Sequence, residues 1–300
     1  MNNTLISIVG PTGIGKTALS LKIANHFQSE IISADSRQFF KEIPIGTAAP
    51  TPKELQKIKH HFIHNKSITE SYSVGAFEKE AMDCITAIHK QQPIIVMVGG
   101  SGLYVNAVIN GLDEFPKIDS KIRAQLNLES AENGLKNLQE ELKILDSNSY
   151  NSIDLNNAHR VIRALEICKG TGLPYSSFLK KNKIKRNFKT INIGLSAERS
   201  IVYDRINRRV DLMMEQGLLE EVKSVFKYKN LNALNTVGYK ELFQYIEGHC
   251  TLDFAVAEIK KNTRRFAKRQ MTWFKKQEHT KWFDFEEKHS EIIAYIEKQL

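Results

Sequence analysis

The sequence predicts an α/β fold: a parallel sheet flanked by helices, organised around a phosphate-binding loop (P-loop) and interrupted by a small all-helical insertion domain. Three observations predict it. Short apolar runs alternate with helical patterns over the first hundred residues. A Gly-rich turn joins the first of those runs to the first helix. From Lys117 to about Lys185 no strand-like run occurs.

Thr4–Val9 (TLISIV) is apolar and β-branched, which reads as a buried strand. Thr17–Phe27 follows with helical spacing, then a second strand at Glu30–Ala34 ending on Asp35. Ala76–Lys90 reads as an amphipathic helix, and Ile94–Val98 as a third strand stopped by Gly99-Gly100. In such sheets ligands lie outside the carboxyl ends of the strands. Gly10–Thr17, Asp35–Gln38 and Gly99–Tyr104 should therefore converge. After Phe115-Pro116 the pattern turns helical, broken by Asn133-Gly134, Asp146–Asn157 and Gly170–Pro174. A basic linker, Lys180–Lys189, leads to a strand at Thr190–Leu195, long helices at Glu198–Lys229 and Thr251–Lys276, and a last strand at Lys281–Phe285. The expected division is 1–115 for the first part of a catalytic core, 116–187 for the insertion and 188–300 for the second part of the core.

The chain has 300 residues, 41% of them apolar, enough for one large core or slightly more. Lys and Arg number 43 against 34 Asp and Glu, a net charge of +9 that favours polyanionic partners. Cys84, Cys168 and Cys250 lie far apart without a CxxC pair, which argues against a zinc ribbon or a disulfide scaffold. No apolar run approaches the ~20 residues that cross a bilayer, and Leu5–Val9 is too short for a signal sequence. A cytoplasmic protein with no membrane partner is expected.

Gly10-Pro11-Thr12-Gly13-Ile14-Gly15-Lys16-Thr17 fits G-x-x-x-x-G-K-[ST] between a strand and a helix. Glycines let successive N–H groups curl around phosphate oxygens. The helix N-terminus and Lys16 add positive charge, and Thr17 can hold a Mg²⁺ ion. Nucleotide hydrolases of this type place an acid at the end of another strand. Here the run IIVMV ends in Gly99-Gly100-Ser101-Gly102, and the acid at a strand end is Asp35. The set suits a reaction in which a bound diphosphate leaves while Asp35 takes a proton from the attacking group. Asp35 as a metal ligand or a local cap is the alternative, and Ser101 either meets a leaving oxygen or shapes a turn.

The basic residues cluster. Lys260–Lys276 carries eight cations and no acid, with Lys261, Arg264, Lys268 and Lys275 on one helical face and Ile259, Phe266 and Trp273 turned elsewhere for the core. Together with the linker and Arg123, Arg160 and Arg163, this points to a nucleic-acid partner.

The blocks GPTGIGKTALS, SADSRQ, IGTAAP, VGGSGLY, HRVIRALEICKGTGLP, EQGLLEEV, NTVGYKEL and TRRFAKRQMTWF occur in the order seen in tRNA dimethylallyltransferases, and the chain resembles that family over nearly its whole length. The resemblance implies transfer of a dimethylallyl group from dimethylallyl diphosphate to N6 of the adenosine 3′ of the anticodon. It implies that Gly10–Thr17 binds the diphosphate with Mg²⁺ near Thr17, that Asp35 accepts the N6 proton, and that Arg209, or Arg205 on the same stretch, neutralises the diphosphate. It implies tRNA contacts at Asp35, Ser36, Arg37, Gln38, Ser101, Arg123, His159, Arg160, Val161, Ile162 and Arg163, with the insertion on the anticodon stem; the basic helix adds Arg264 and Lys268. Ser101 stands where the family usually has threonine. Phe39-Phe40 replaces an aliphatic residue and a tyrosine, on what should be the wall of the site. Nothing demands an oligomer, so a monomer is expected. The alternatives are a P-loop small-molecule kinase, and an RNA-binding module whose P-loop is a ligand-controlled switch.

Overall fold

The computed structural model describes residues 3–179, 184–277 and 279–300. The chain divides into two compact units, Met1–Asn110 with Lys185–Leu300, and Gly111–Ile184.

In the first unit, strands β1 (Thr4–Val9), β2 (Ile31–Ser33), β3 (His60–His61), β4 (Ile94–Val98), β5 (Lys189–Ser196) and β6 (Thr280–Asp284) form one sheet in the order β3-β2-β4-β1-β5-β6. Every neighbouring pair is parallel, and Ile6 of β1 lies between Val96 and Ile191. All of β1 is buried, as a strand covered on both faces must be. Helices α1 (Lys16–His26), α2 (Pro52–Lys57), α3 (Val74–His89) and α4 (Gly102–Asn110) precede the second unit. That unit contains α5 (Ser120–Asn133), α6 (Lys136–Leu145), α7 (Ser147–Ser152) and α8 (Ala158–Thr171). After it come α9 (Arg199–Glu215), α10 (Leu218–Val225), α11 (Tyr239–Ile246), α12 (Leu252–Phe274) and α13 (His289–Gln299).

The pleat of the sheet sorts the core. Ile6, Ile8 and Val96 pack with Leu19 and Ile23 of α1 and with Ile292 and Ile296 of α13. Leu5, Ile95 and Met97 pack on the other side with Phe77 and Ile85 of α3 and Val105 of α4. A third cluster joins α10 and α11 to Val210 of α9 and Ile259 of α12. The second unit has its own core of Leu126, Leu138, Leu142, Val161 and Leu165.

Three expectations need correction. The stretch 198–229 is not one helix: Gly217, at φ 97, breaks it between α9 and α10. Phe39 and Phe40 do not form a site wall, for they are 1% and 6% exposed. Phe39 lies behind Tyr104, 5.7 Å between ring centroids. The basic linker is partly structural as well, its residues 180–183 lying outside the described ones. Arg186 donates from Nε to the Val108 carbonyl at 2.9 Å, and from Nη2 to the Ala107 carbonyl at 2.7 Å and to Glu78 at 2.6 Å. Lys189 bonds the Gln299 carbonyl.

Candidate active site

The turn after β1 forms because Gly10 can take φ 146, where a Cβ would also come within 2.6 Å of the Leu195 carbonyl oxygen. Gly15 caps α1 from the left-handed region, so the first turn of that helix opens onto the loop. The Lys16 ammonium folds back to donate to the Pro11 carbonyl at 2.8 Å. Arg205 donates from Nε to the Gly13 carbonyl at 2.8 Å, which brings α9 against the loop.

The three strand ends do converge. Past β2, Asp35 Oδ1 accepts the Arg37 N–H at 3.1 Å. Past β4, the Ser101 hydroxyl accepts the Ser36 N–H at 2.9 Å and donates to Ser36 Oγ at 3.0 Å. Gln270 of α12, only 5% exposed, links the loop after β4 to the loop after β1. Its Oε1 accepts the Thr12 N–H at 2.9 Å and its Nε2 donates to the Gly100 carbonyl at 2.9 Å.

Two cavities meet at this point. One, of about 490 Å³, is lined by Thr12, Gly13, Gly15, Lys16, Thr17 and Arg205 among others. The second, of about 580 Å³, is lined by Ser36, Ser101, Tyr104, Met213, Lys240, Arg269 and Trp273 among others. Thr12, Asp35, Thr47, Gly100, Arg209, Phe266 and Gln270 border both. The Asp35 carboxylate and the Arg209 guanidinium thus stand between the cavity lined by the Gly-rich loop and the second chamber.

Electrostatics follow from that crowding. Burial pushes the Lys16 ammonium down to about 7; the Asp35 carboxylate opposes the fall and the Arg209 cation adds to it. Burial lowers Arg209 too, with Asp35 again opposing. An anion in this cavity would relieve both cations.

Other sequence-predicted residues divide sharply. Of the loop, Ile14 is 1% exposed and anchors the core rather than the cavity. Arg37 spends its guanidinium on the carbonyls of Asn232, Ala233 and Asn235. Gln38 ties Ser33 to the carbonyls of Thr47 and Ala48. In the second unit, Val161 and Ile162 are 0% and 3% exposed, core residues of α8 whose side chains are not available for contact. His159 and Arg160 are exposed, while Arg123 and Arg163 share Glu166 at 3.2 and 2.9 Å. On α12 the cations are partly compensated from outside the run. Lys260 pairs with Asp211 at 2.6 Å, Lys261 with Glu258, and Arg264 donates to Asn207 at 2.7 Å; Lys268 is exposed. Phe266 and Trp273 are not core residues: each is 37% exposed and lines the second cavity.

Sequence reasoning passed over Gln270, Thr47 and Glu221. Gln270 had a signal, a neutral residue amid a run of cations. Glu221 accepts the N–H groups of Ile45 and Gly46 at 2.7 and 2.8 Å and thereby holds the loop that carries Thr47.

Residues 38–277 match the family described as IPP transferase. A tRNA dimethylallyltransferase of Christiangramia forsetii is 56% identical over 300 residues, covering 100% of this chain and 99% of that protein. One of Flavobacterium johnsoniae is 54% identical, covering 99% and 98%. Among solved structures, the full-length tRNA isopentenylpyrophosphate transferase of Bacillus halodurans superposes with a TM-score of 0.74 at 38% identity, covering 99% of this chain and 97% of that one. A eukaryotic dimethylallyltransferase acting on tRNA gives a TM-score of 0.82 at 29% identity, covering 95% and 75%. By this match and by these relatives, the chain belongs to the IPP transferase family.

Proposed function

We infer that the protein transfers a dimethylallyl group from dimethylallyl diphosphate to N6 of the adenosine 3′-adjacent to the anticodon of tRNA, releasing diphosphate. The observation that carries this reading is Asp35 at the junction of a cationic phosphate cradle and a second chamber. The exocyclic amine of adenine is a weak nucleophile, because its lone pair is delocalised into the ring. The allylic carbon must therefore be activated, and the cations of the cradle stabilise the leaving diphosphate. As the C1–O bond breaks, the N6 lone pair forms the new C–N bond, the diphosphate departs with the electron pair, and Asp35 takes the N6 proton. Lys16, Arg205 and Arg209 hold the diphosphate. Ser101, tied to Ser36 in the free protein, fixes the loop past β4 beside Asp35. The target base leaves its stack to reach that point.

A divalent ion fits the cradle. The Thr17 residue lines the phosphate cavity, and no cluster of three or more His, Cys, Asp or Glu exists among the described residues. This donor set suits Mg²⁺, which keeps several waters and takes the rest of its shell from substrate phosphates. When bound, the ion would neutralise diphosphate charge. We place the acceptor RNA on the second chamber and on the exposed cations of α12, with the second unit on the anticodon stem through His159 and Arg160. We propose that the protein acts as a monomer. Its cysteines are free, consistent with the cytoplasm, and no described helix is long and apolar enough to cross a membrane.

The deciding experiment supplies unmodified tRNA with either dimethylallyl diphosphate or ATP. Prenylated adenosine and free diphosphate are expected with the first donor alone. Phosphorylation of a small acceptor with ATP, without prenyl transfer, would sink the reading.

A further inference from the structure

Phe266 and Trp273 lie seven residues apart on α12, two turns that carry them about 10 Å along the same side of the helix. Each ring is 37% exposed, and both face the second cavity. Large aromatic rings left open inside a cavity invite an apolar or π-faced ligand. Phe266 also borders the phosphate cavity, as Asp35 does, whereas Trp273 borders the second cavity alone. Arg269 comes between them in sequence, with its guanidinium 5.7 Å from the Phe266 ring centroid. Trp273 is also held in place: a Cβ on Gly102 would overlap the edge of its indole, so the ring seats on the start of α4 beside Ser101. Two spaced rings with a cation between them match two splayed bases joined by one phosphate.

We propose that Phe266 and Trp273 form a stacking platform for two consecutive unpaired nucleobases, the target adenine on Phe266 and its neighbour on Trp273, with Arg269 neutralising the phosphate between them. This rests on the RNA prenyl-transfer reading and assigns the acceptor's neighbouring nucleotide a site of its own. Such a platform reads the π-face of a base rather than its hydrogen-bonding edge.

The test uses the full chain and an anticodon stem-loop RNA carrying 2-aminopurine on the 5′ side of the target in one preparation and on the 3′ side in another. The wild-type protein should quench one of the two probes. Trp273→Leu should restore its emission and raise KM for the RNA about tenfold, with KM for dimethylallyl diphosphate unmoved. Trp273→Phe, which keeps a ring, should retain the quench. Arg269→Gln should flatten the dependence of log affinity on log salt by about 0.7. Equal emission from wild type and Trp273→Leu at both positions overturns the platform, as does a loss that falls on the donor's KM, which would assign the rings to the allyl tail. Should Trp273→Leu melt far below the wild type, an unquenched probe in the wild type or an unchanged salt slope in Arg269→Gln still overturns it. Absence of prenyl transfer by the wild type defeats the underlying functional reading; transfer without quenching defeats the platform alone.

Discussion

Gln270 and Thr12 are 258 positions apart in sequence, yet the amide oxygen of one accepts the backbone N–H of the other at 2.9 Å. The same amide donates to Gly100. A single side chain on α12 thus sets the spacing between the phosphate loop after β1 and the loop after β4. Gln270→Leu leaves the buried Gly100 carbonyl unpaired, a cost of about 1–3 kcal/mol, and the half-buried Thr12 N–H as well, at a smaller cost. We expect a lower melting temperature together with a rise in KM for the diphosphate donor of tenfold or more. A variant with unchanged donor KM would show that the loop spacing is set elsewhere.

Asp35→Asn keeps the shape of the junction and its bond from Arg37, but removes the proton acceptor. Single-turnover transfer should fall by about 10²–10⁴-fold, the usual worth of a positioned base. Binding of the anticodon stem-loop should change little. Full activity in this variant would exclude Asp35 as the base.

Lys16 gives the site a pH dependence. Its folded pKa, about 7, lies below its ordinary value of 10.5. From pH 7 to 10.5 the unfolded chain therefore binds the extra proton, and this group's contribution makes stability rise with pH across that window. Diphosphate binding acts the other way: the anion restores the charge, so affinity should weaken by up to about tenfold per unit above pH 7. Calorimetry at pH 8 in buffers of different ionisation enthalpy should detect more proton uptake by the wild type than by Lys16→Arg, whose cation does not titrate. Equal uptake by the two proteins would contradict the assignment.

Tyr239 donates to Glu221 at 2.5 Å, and that carboxylate also accepts from Ile45 and Gly46. Burial and the carboxylate both hold the phenol of Tyr239 protonated. Glu221→Gln turns one acceptor into a donor facing a backbone N–H, so we expect a loss of about 2–4 kcal/mol in stability and a lower kcat/KM. Tyr239→Phe should cost less than half as much. Denaturant titration of both variants separates the two contributions.

Much of the architecture was legible in the residues. Period-two and continuous apolar runs marked β1, β4 and β5 within a residue or two, because β1 and β4 are buried along nearly their whole length and β5 turns Ile191, Ile193 and Leu195 into the core. The edge strand β3 and helix α11 escaped, being short and set by tertiary contacts. The convergence of the loop Gly10–Thr17 with Asp35 was legible because each follows a buried strand, whereas Arg205 and Arg209 of α9 came with the family resemblance. Phe266 and Trp273 illustrate the limit. Helical spacing placed them on the side that buries Ala255 and Ile259, but nothing local reveals that the same side borders an open chamber farther along. Charge counting did not foresee the partners of Arg186 in the linker, which are Glu78 and two carbonyls distant in sequence.

Arg186 fastens the chain where it re-enters the sheet-bearing unit to the last turn of α4, where the chain leaves it. To the sheet, everything from Gly111 to Ile184 is therefore one loop with a closed neck. A loop tied at its base can lengthen, shorten or be exchanged without shifting strand register, since the cost of closure is met at the neck. On the division of labour proposed above, RNA preference and transfer chemistry can then diverge on separate schedules within one gene, and a chimaera joined at Asn110 and Lys185 is the natural unit of exchange.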